Sequence, residues 1–124
     1  MSKRILVVED NDLNRKLFCD VLMAGGFTVE PVADGRLVME RARLFEPNLV
    51  VMDIQLQDIS GLDLIASLKN DIELADVPVL AVTAYAGKGD EQRIRDSGAQ
   101  GYLSKPVSIG PFMAAVKGLM EPVQ

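Results

Sequence analysis

The sequence predicts an α/β fold: a doubly wound, five-stranded parallel sheet in the order 2-1-3-4-5. Three observations lead there. Five short apolar, β-branched runs alternate with helical patterns along the chain. Such alternation implies parallel strands covered by helices on both faces. The second run carries Glu30 and Pro31, and the fifth is short. Proline lacks the N–H that an inner ladder needs, and short strands suit edges, so these two runs flank the sheet. The first, third and fourth runs are almost continuously apolar and belong in its middle.

The strand runs fall at 5–9, 28–32, 49–52, 79–82 and 101–103. Leu13, Leu17, Val21 and Leu22 stripe a first helix, and Leu37, Val38, Ala42 and Phe45 a second. Leu62, Ile65 and Leu68 mark the third helix; Ile109, Phe112, Met113, Val116 and Met120 mark the last. Asn11 or Asp12, Asp34 and Ser60 are the candidate N-caps, since a short oxygen-bearing side chain can accept from the first free helical N–H groups. The fourth helix, KGDEQRIRDSG, has Ile94 as its one large apolar residue. Its stability depends on what it packs against, which suits it to movement. Right-handed crossovers place the first and fifth helices on one face.

At 124 residues the chain is read as a single domain spanning 1–124, without linker, repeat or effector domain. That length supports a core without disulfides or structural metal. A net charge of −5 and the lack of a polybasic run argue against nucleic acid and against an anionic membrane surface. The lone Cys19 reads as a small apolar helix residue, and a single cysteine points to a reducing, cytoplasmic setting. No signal peptide or spanning apolar run is visible. Histidine is absent, which removes Ser-His-Asp and Cys-His catalysis and histidine-ligated zinc together.

Chemistry collects where the central strands end. Sites in open α/β sheets form beyond the carboxyl ends of the strands, near the switch in strand order. Strand one ends in Glu9 and Asp10, strand three in Asp53, strand four in Thr83, strand five in Ser104-Lys105-Pro106. Taken singly, each is better explained as a cap, a turn residue or a solvated charge. Together they are not, because three carboxylates in one pocket must bind a proton or a cation. An oxygen-only donor set favours a hard divalent ion, Mg²⁺, with room for a phosphate beside it. Thr83 and Lys105 then become partners for phosphoryl oxygens, and an aspartate can serve as the nucleophile of phosphoryl transfer.

The stretches ILVVEDNDLNRKLF, VVMDIQL, ISGLDLI, PVLAVTAYA and GYLSKPVS, in this order and spacing, resemble the receiver domain of two-component response regulators over essentially the whole chain. Within that family the chain is similar to single-domain regulators of cell division. The resemblance implies that Asp53 accepts a phosphoryl group from a kinase histidine. It further implies Mg²⁺ held by Glu9, Asp10, Asp53 and the backbone carbonyl of Gln55, phosphoryl oxygens bound by Thr83 and Lys105, and Tyr102 as the switch aromatic. It also implies a cis Lys105–Pro106 bond. Gln57 departs from the pattern, standing where the family usually has proline.

Three other readings stand beside this one. A haloacid-dehalogenase-type phosphatase would need an acid two residues after its nucleophile, where this chain has Gln55. A flavin-mononucleotide binder would need Ser, Thr or Gly after the first strand, where this chain has Glu-Asp-Asn-Asp. A phosphorylation-dead interaction domain would have no need for the full set of acids, hydroxyl and lysine. Only 19 residues follow Lys105, enough for the last helix and a short tail. The expected function is therefore that of a phosphoacceptor and not an enzyme. Its partners would be sensor histidine kinases and phosphotransfer or kinase-like proteins, and it would act as a monomer or weak dimer without membrane insertion.

Overall fold

The computed structural model of the chain describes residues 3–84 and 87–120. Strands β1 (Arg4–Val8), β2 (Thr28–Val32), β3 (Leu49–Asp53), β4 (Val79–Thr83) and β5 (Gly101–Ser104) alternate with five helices. These are α1 (Asp12–Ala24), α2 (Val38–Phe45), α3 (Gly61–Asn70), α4 (Lys88–Asp96) and α5 (Ile109–Met120), with a 3₁₀ turn, Gly35–Leu37, leading into α2. All strand pairs are parallel and the order is β2-β1-β3-β4-β5, as the edge residues required.

The two-residue period of the strands divides the core. Leu6, Val8, Val50, Met52, Val79 and Ala81 face α2, α3 and α4 residues such as Val38, Ala42, Leu64, Ile65, Leu68 and Ile94. Ile5, Val7, Leu49, Val51, Leu80 and Val82 face Phe18, Cys19, Leu22, Phe112 and Val116 of α1 and α5. The rings of Phe18 and Phe112 stack at 5.1 Å between centroids and tie these two helices together. Burying either ring contributes roughly 1.5–3 kcal/mol by area. Cys19 is buried there, and loss of solvation pushes its thiol pKa up. It is a packing residue.

Side-chain caps open α1, the 3₁₀ turn ahead of α2, and α3. The side chain of Asn11 accepts from the Asn14 N–H at 2.9 Å, Asp34 from Arg36 at 2.9 Å and Ser60 from Leu62 at 3.2 Å. The helix stripes, in contrast, need correction. Leu13 and Leu17 are 77% and 44% exposed, and α1 buries Leu22 of that stripe together with Phe18 and Cys19. Ile109 is likewise 58% exposed, while Phe112 and Val116 anchor α5. An apolar run wider than one face leaves the choice of buried ridge to the angle at which the helix meets the sheet. In α4, Ile94 is buried at 2% exposure and is the helix's anchor, as the sequence indicated.

Candidate functional site

Strand register brings the predicted residues together. Val8 pairs with Met52, so Glu9 continues the row that holds Asp53; Asp53 pairs with Val82 and Thr83 with Ser104. The four central strand ends therefore deliver Glu9, Asp53, Thr83 and Lys105 to one edge. Glu9, Asp53 and Thr83 are almost fully buried, at 0%, 2% and 1% exposure. Asp10 is half-buried beside them. A carboxylate oxygen from each of Glu9, Asp10 and Asp53 lies within 4.8 Å of the others.

Lys105 closes the cluster. Its Nζ donates to Glu9 Oε1 at 3.0 Å and to Asp53 Oδ2 at 3.3 Å. The Lys105 N–H donates to the Thr83 carbonyl at 2.7 Å, and the Lys105–Pro106 bond is cis. Burial alone would lower the pKa of the ammonium, but contact with Glu9 and Asp53 outweighs it and leaves the pKa raised. Lys105 nevertheless faces three acids. Burial, and then the neighbouring Asp53, push the Glu9 carboxyl up to about 7, although Lys105 opposes the shift. A donor set made only of oxygens and short of positive charge fits Mg²⁺ better than a softer ion.

Contacts that the sequence reading did not foresee complete the site. The Gln55 N–H donates to Asp53 Oδ1 at 3.0 Å, so each oxygen of this carboxylate is held from a different side. The Gln55 side chain donates through Nε2 to Thr83 Oγ1 at 2.6 Å and accepts at Oε1 from the Ala84 N–H at 2.8 Å. Gln57 donates its N–H to Asp10 Oδ2 at 2.9 Å, a bond that a proline there could not make. Arg15 Nη1 donates to the Glu9 carbonyl at 3.0 Å. Gly61 sits so close to the end of β3 that an added Cβ would lie 2.3 Å from the Asp53 carbonyl oxygen and 2.6 Å from Ile54 Cα. A small residue opening a helix just after the strand-end acid is the sequence signal for Gly61. The amides of Gln55 and Gln57 carry no such signal, because only the loop's path decides what they meet.

Tyr102 is half-buried and packs with the α2–α3–α4 side of the core, in the cluster that holds Ile94 and Ala99. The motif PVLAVTAYA ends in Tyr85 and Ala86, which lie outside the described residues.

An acid triad with two buried members, answered by a lysine and a hydroxyl at the carboxyl edge of a 2-1-3-4-5 sheet, defines a class. A family model for the response regulator receiver domain matches residues 5–117, and the chain belongs to that family. It is 45% identical over 120 residues to the polar-differentiation response regulator DivK of Brucella ovis, covering 97% of this chain and 98% of that protein. The DivK of Brucella anthropi matches to the same extent. Among solved structures, the receiver domain of the sensor histidine kinase PA1611 from Pseudomonas aeruginosa is 27% identical with a TM-score of 0.88, covering 97% of this chain and 98% of that one. That structure has a magnesium ion coordinated in its active-site cleft. Chemotaxis protein CheY4 of Vibrio cholerae, 21% identical with a TM-score of 0.91 over 96% of this chain and 99% of that one, shares the fold. The chain is thus a receiver-domain response regulator similar to DivK, and the phosphatase reading is not favoured. Among the described residues no helix is long and apolar enough to cross a membrane.

Proposed function

We propose that Asp53 is the phosphoacceptor of a single-domain regulator, and that its phosphorylated form controls partner kinases or phosphorelay proteins in cell-division signalling. The observation that carries this reading is the setting of Asp53: a carboxylate 2% exposed, 3.3 Å from the Lys105 ammonium and grouped with Glu9 and Asp10. A buried acid is normally avoided unless its charge is used. Here an Asp53 oxygen attacks the phosphorus of a phosphohistidine on the kinase. The new O–P bond forms as the P–N bond breaks, and the imidazole nitrogen keeps the electron pair. Lys105 and Thr83 bind phosphoryl oxygens as the group arrives. Glu9, Asp10, Asp53 and the Gln55 carbonyl would hold Mg²⁺, which when bound neutralises charge on the transferring group. The protein acts as an acceptor and not as an enzyme with a separate substrate.

Similarity to the polar-differentiation regulators supports a role in cell division and a set of partners made up of sensor histidine kinases and kinase-like proteins. Phosphorylation would bias an existing equilibrium, with Thr83 drawn toward the phosphoryl group and Tyr102 turning inward on the face made by α4, β5 and α5. A one-domain chain, acting as a monomer or weak dimer in the cytoplasm and binding neither nucleic acid nor membrane, fits the net charge of −5 and the single, buried Cys19. The test is labelling by a phosphorylated kinase or a small phosphodonor. Wild type should gain a hydroxylamine-labile label and Asp53→Asn should gain none while still unfolding cooperatively. Full labelling of Asp53→Asn would overturn the assignment.

A further inference from the structure

Gln55 meets the site through three polar groups. Its N–H holds Asp53 Oδ1 at 3.0 Å, its Nε2 reaches Thr83 Oγ1 at 2.6 Å, and its Oε1 takes the Ala84 N–H at 2.8 Å. One residue therefore links the acid on β3, through its backbone N–H, to the two polar groups at the end of β4, through its side-chain amide. Those groups lie immediately beyond Val82, the register partner of Asp53. A phosphoryl group on Asp53 brings three acceptor oxygens to this spot, and the Ala84 N–H is already committed to Gln55.

We propose that Gln55 is a positioning residue, a latch that holds Thr83 and the Ala84 N–H in the resting arrangement and that phosphorylation must displace. The inference rests on the reading of Asp53 as phosphoacceptor. Room for the displaced side chain exists: a cavity of about 210 Å³ is lined by Gln55 and Thr83 and also by Asp90, Arg93 and Ile94 of α4. An amide swinging into that cavity would reach the helix with the least apolar anchorage, so release of the latch and movement of α4 become one event. The latch also opposes phosphorylation, because any gain at Ala84 and Thr83 must first offset two hydrogen bonds lost by Gln55. Two ordinary net hydrogen bonds amount to about tenfold or somewhat more in an equilibrium.

The test uses the intact chain with Mg²⁺ and fluoroberyllate, a non-covalent stand-in for the phosphoryl group, and compares wild type with Gln55→Met and Gln55→Ala. Methionine keeps the length of the side chain and removes both hydrogen bonds. Without ligand, exchange of the Ala84 amide proton should be about tenfold faster in both variants, a readout that general loosening would spread over the whole sheet. With ligand, the fluoroberyllate midpoint should fall about tenfold in both. A midpoint equal to or above wild type in both variants, or unchanged Ala84 exchange, would overturn the latch while leaving Asp53 as acceptor. Failure of wild type itself to take up fluoroberyllate would overturn the Asp53 reading, and the latch with it.

Discussion

Glu9 is the residue whose energetics bear most directly on the site. It is fully buried, and burial pushes its carboxyl up to about 7 from an ordinary value of 4.5. Below pH 4.5 the group is protonated whether the chain is folded or not, so it costs nothing. As pH rises from there to about 7, the unfolded chain releases the proton while the folded chain keeps it, and stability is lost. The melting temperature of metal-free protein should therefore fall between pH 5 and pH 7.5, and Glu9→Gln should flatten that slope in thermal melts. Asp34 and Asp71, held below the usual carboxylate range by Arg36 and Arg43, titrate below this window and do not blur it. A melting temperature that rises over the same interval would contradict the burial argument. Gly61 makes a second test at this scale. A methyl group there would press on the backbone that carries Asp53, and backbone cannot yield as a flexible side chain can. Gly61→Ala is expected to destabilise by about 1–3 kcal/mol in urea unfolding and to slow phosphorylation by shifting the acid.

The elements differ in how firmly they are held. Helix α2 ends at Glu46, which adopts φ 54°. Left-handed backbone strains any side chain with a Cβ, and glycine relieves that strain. Glu46 otherwise serves through its carbonyl, which accepts from Arg4 Nε at 3.0 Å and survives substitution. Glu46→Gly should thus raise stability by about 0.5–1 kcal/mol once the added freedom of the unfolded chain is counted, measured as a shift in denaturant midpoint at constant slope. A loss of stability would mean that the Glu46 side chain contributes more than its backbone strain costs. Helix α4 is the opposite case. Its charged residues pair within one turn, as Arg95 does with Glu91 at 3.1 Å, and such exposed pairs add little. Ile94 is what fastens it to the sheet, beside the half-buried Tyr102.

On the scale of the whole molecule, the five strands spend stability to gather charge. The buried Glu9 carboxylate is unfavourable where it sits, and the apolar layers on both faces of the sheet hold the strand ends in register against that cost. A divalent cation that binds the folded site alone would recover the cost by mass action. At a hundredfold excess over its Kd this amounts to roughly 2.7 kcal/mol, on the order of 10 °C in melting temperature for a chain of this size. Mg²⁺ should therefore raise the melting temperature of wild type, and Asp10→Ala should lose most of the rise. An equal rise in Asp10→Ala would remove Asp10 from the metal site.

Much of this was legible from residue order alone. The period of the apolar runs specifies strands and helices, Pro31 and the shortness of β5 place the two edges, and the acids, Thr83 and Lys105 stand at strand ends whatever the details of packing. These follow from steric and hydrogen-bonding rules that act over a few residues. Tertiary structure decided the rest. Leu13, Leu17 and Ile109 have the composition of core residues and lie in solvent, because the docking angle of a helix selects among adjacent apolar ridges. Gln55 and Gln57 look like ordinary polar loop residues and instead hold Asp53, Thr83, Ala84 and Asp10. An amide's partners depend on where two distant strands end relative to one loop, and that distance exists only once the sheet has formed.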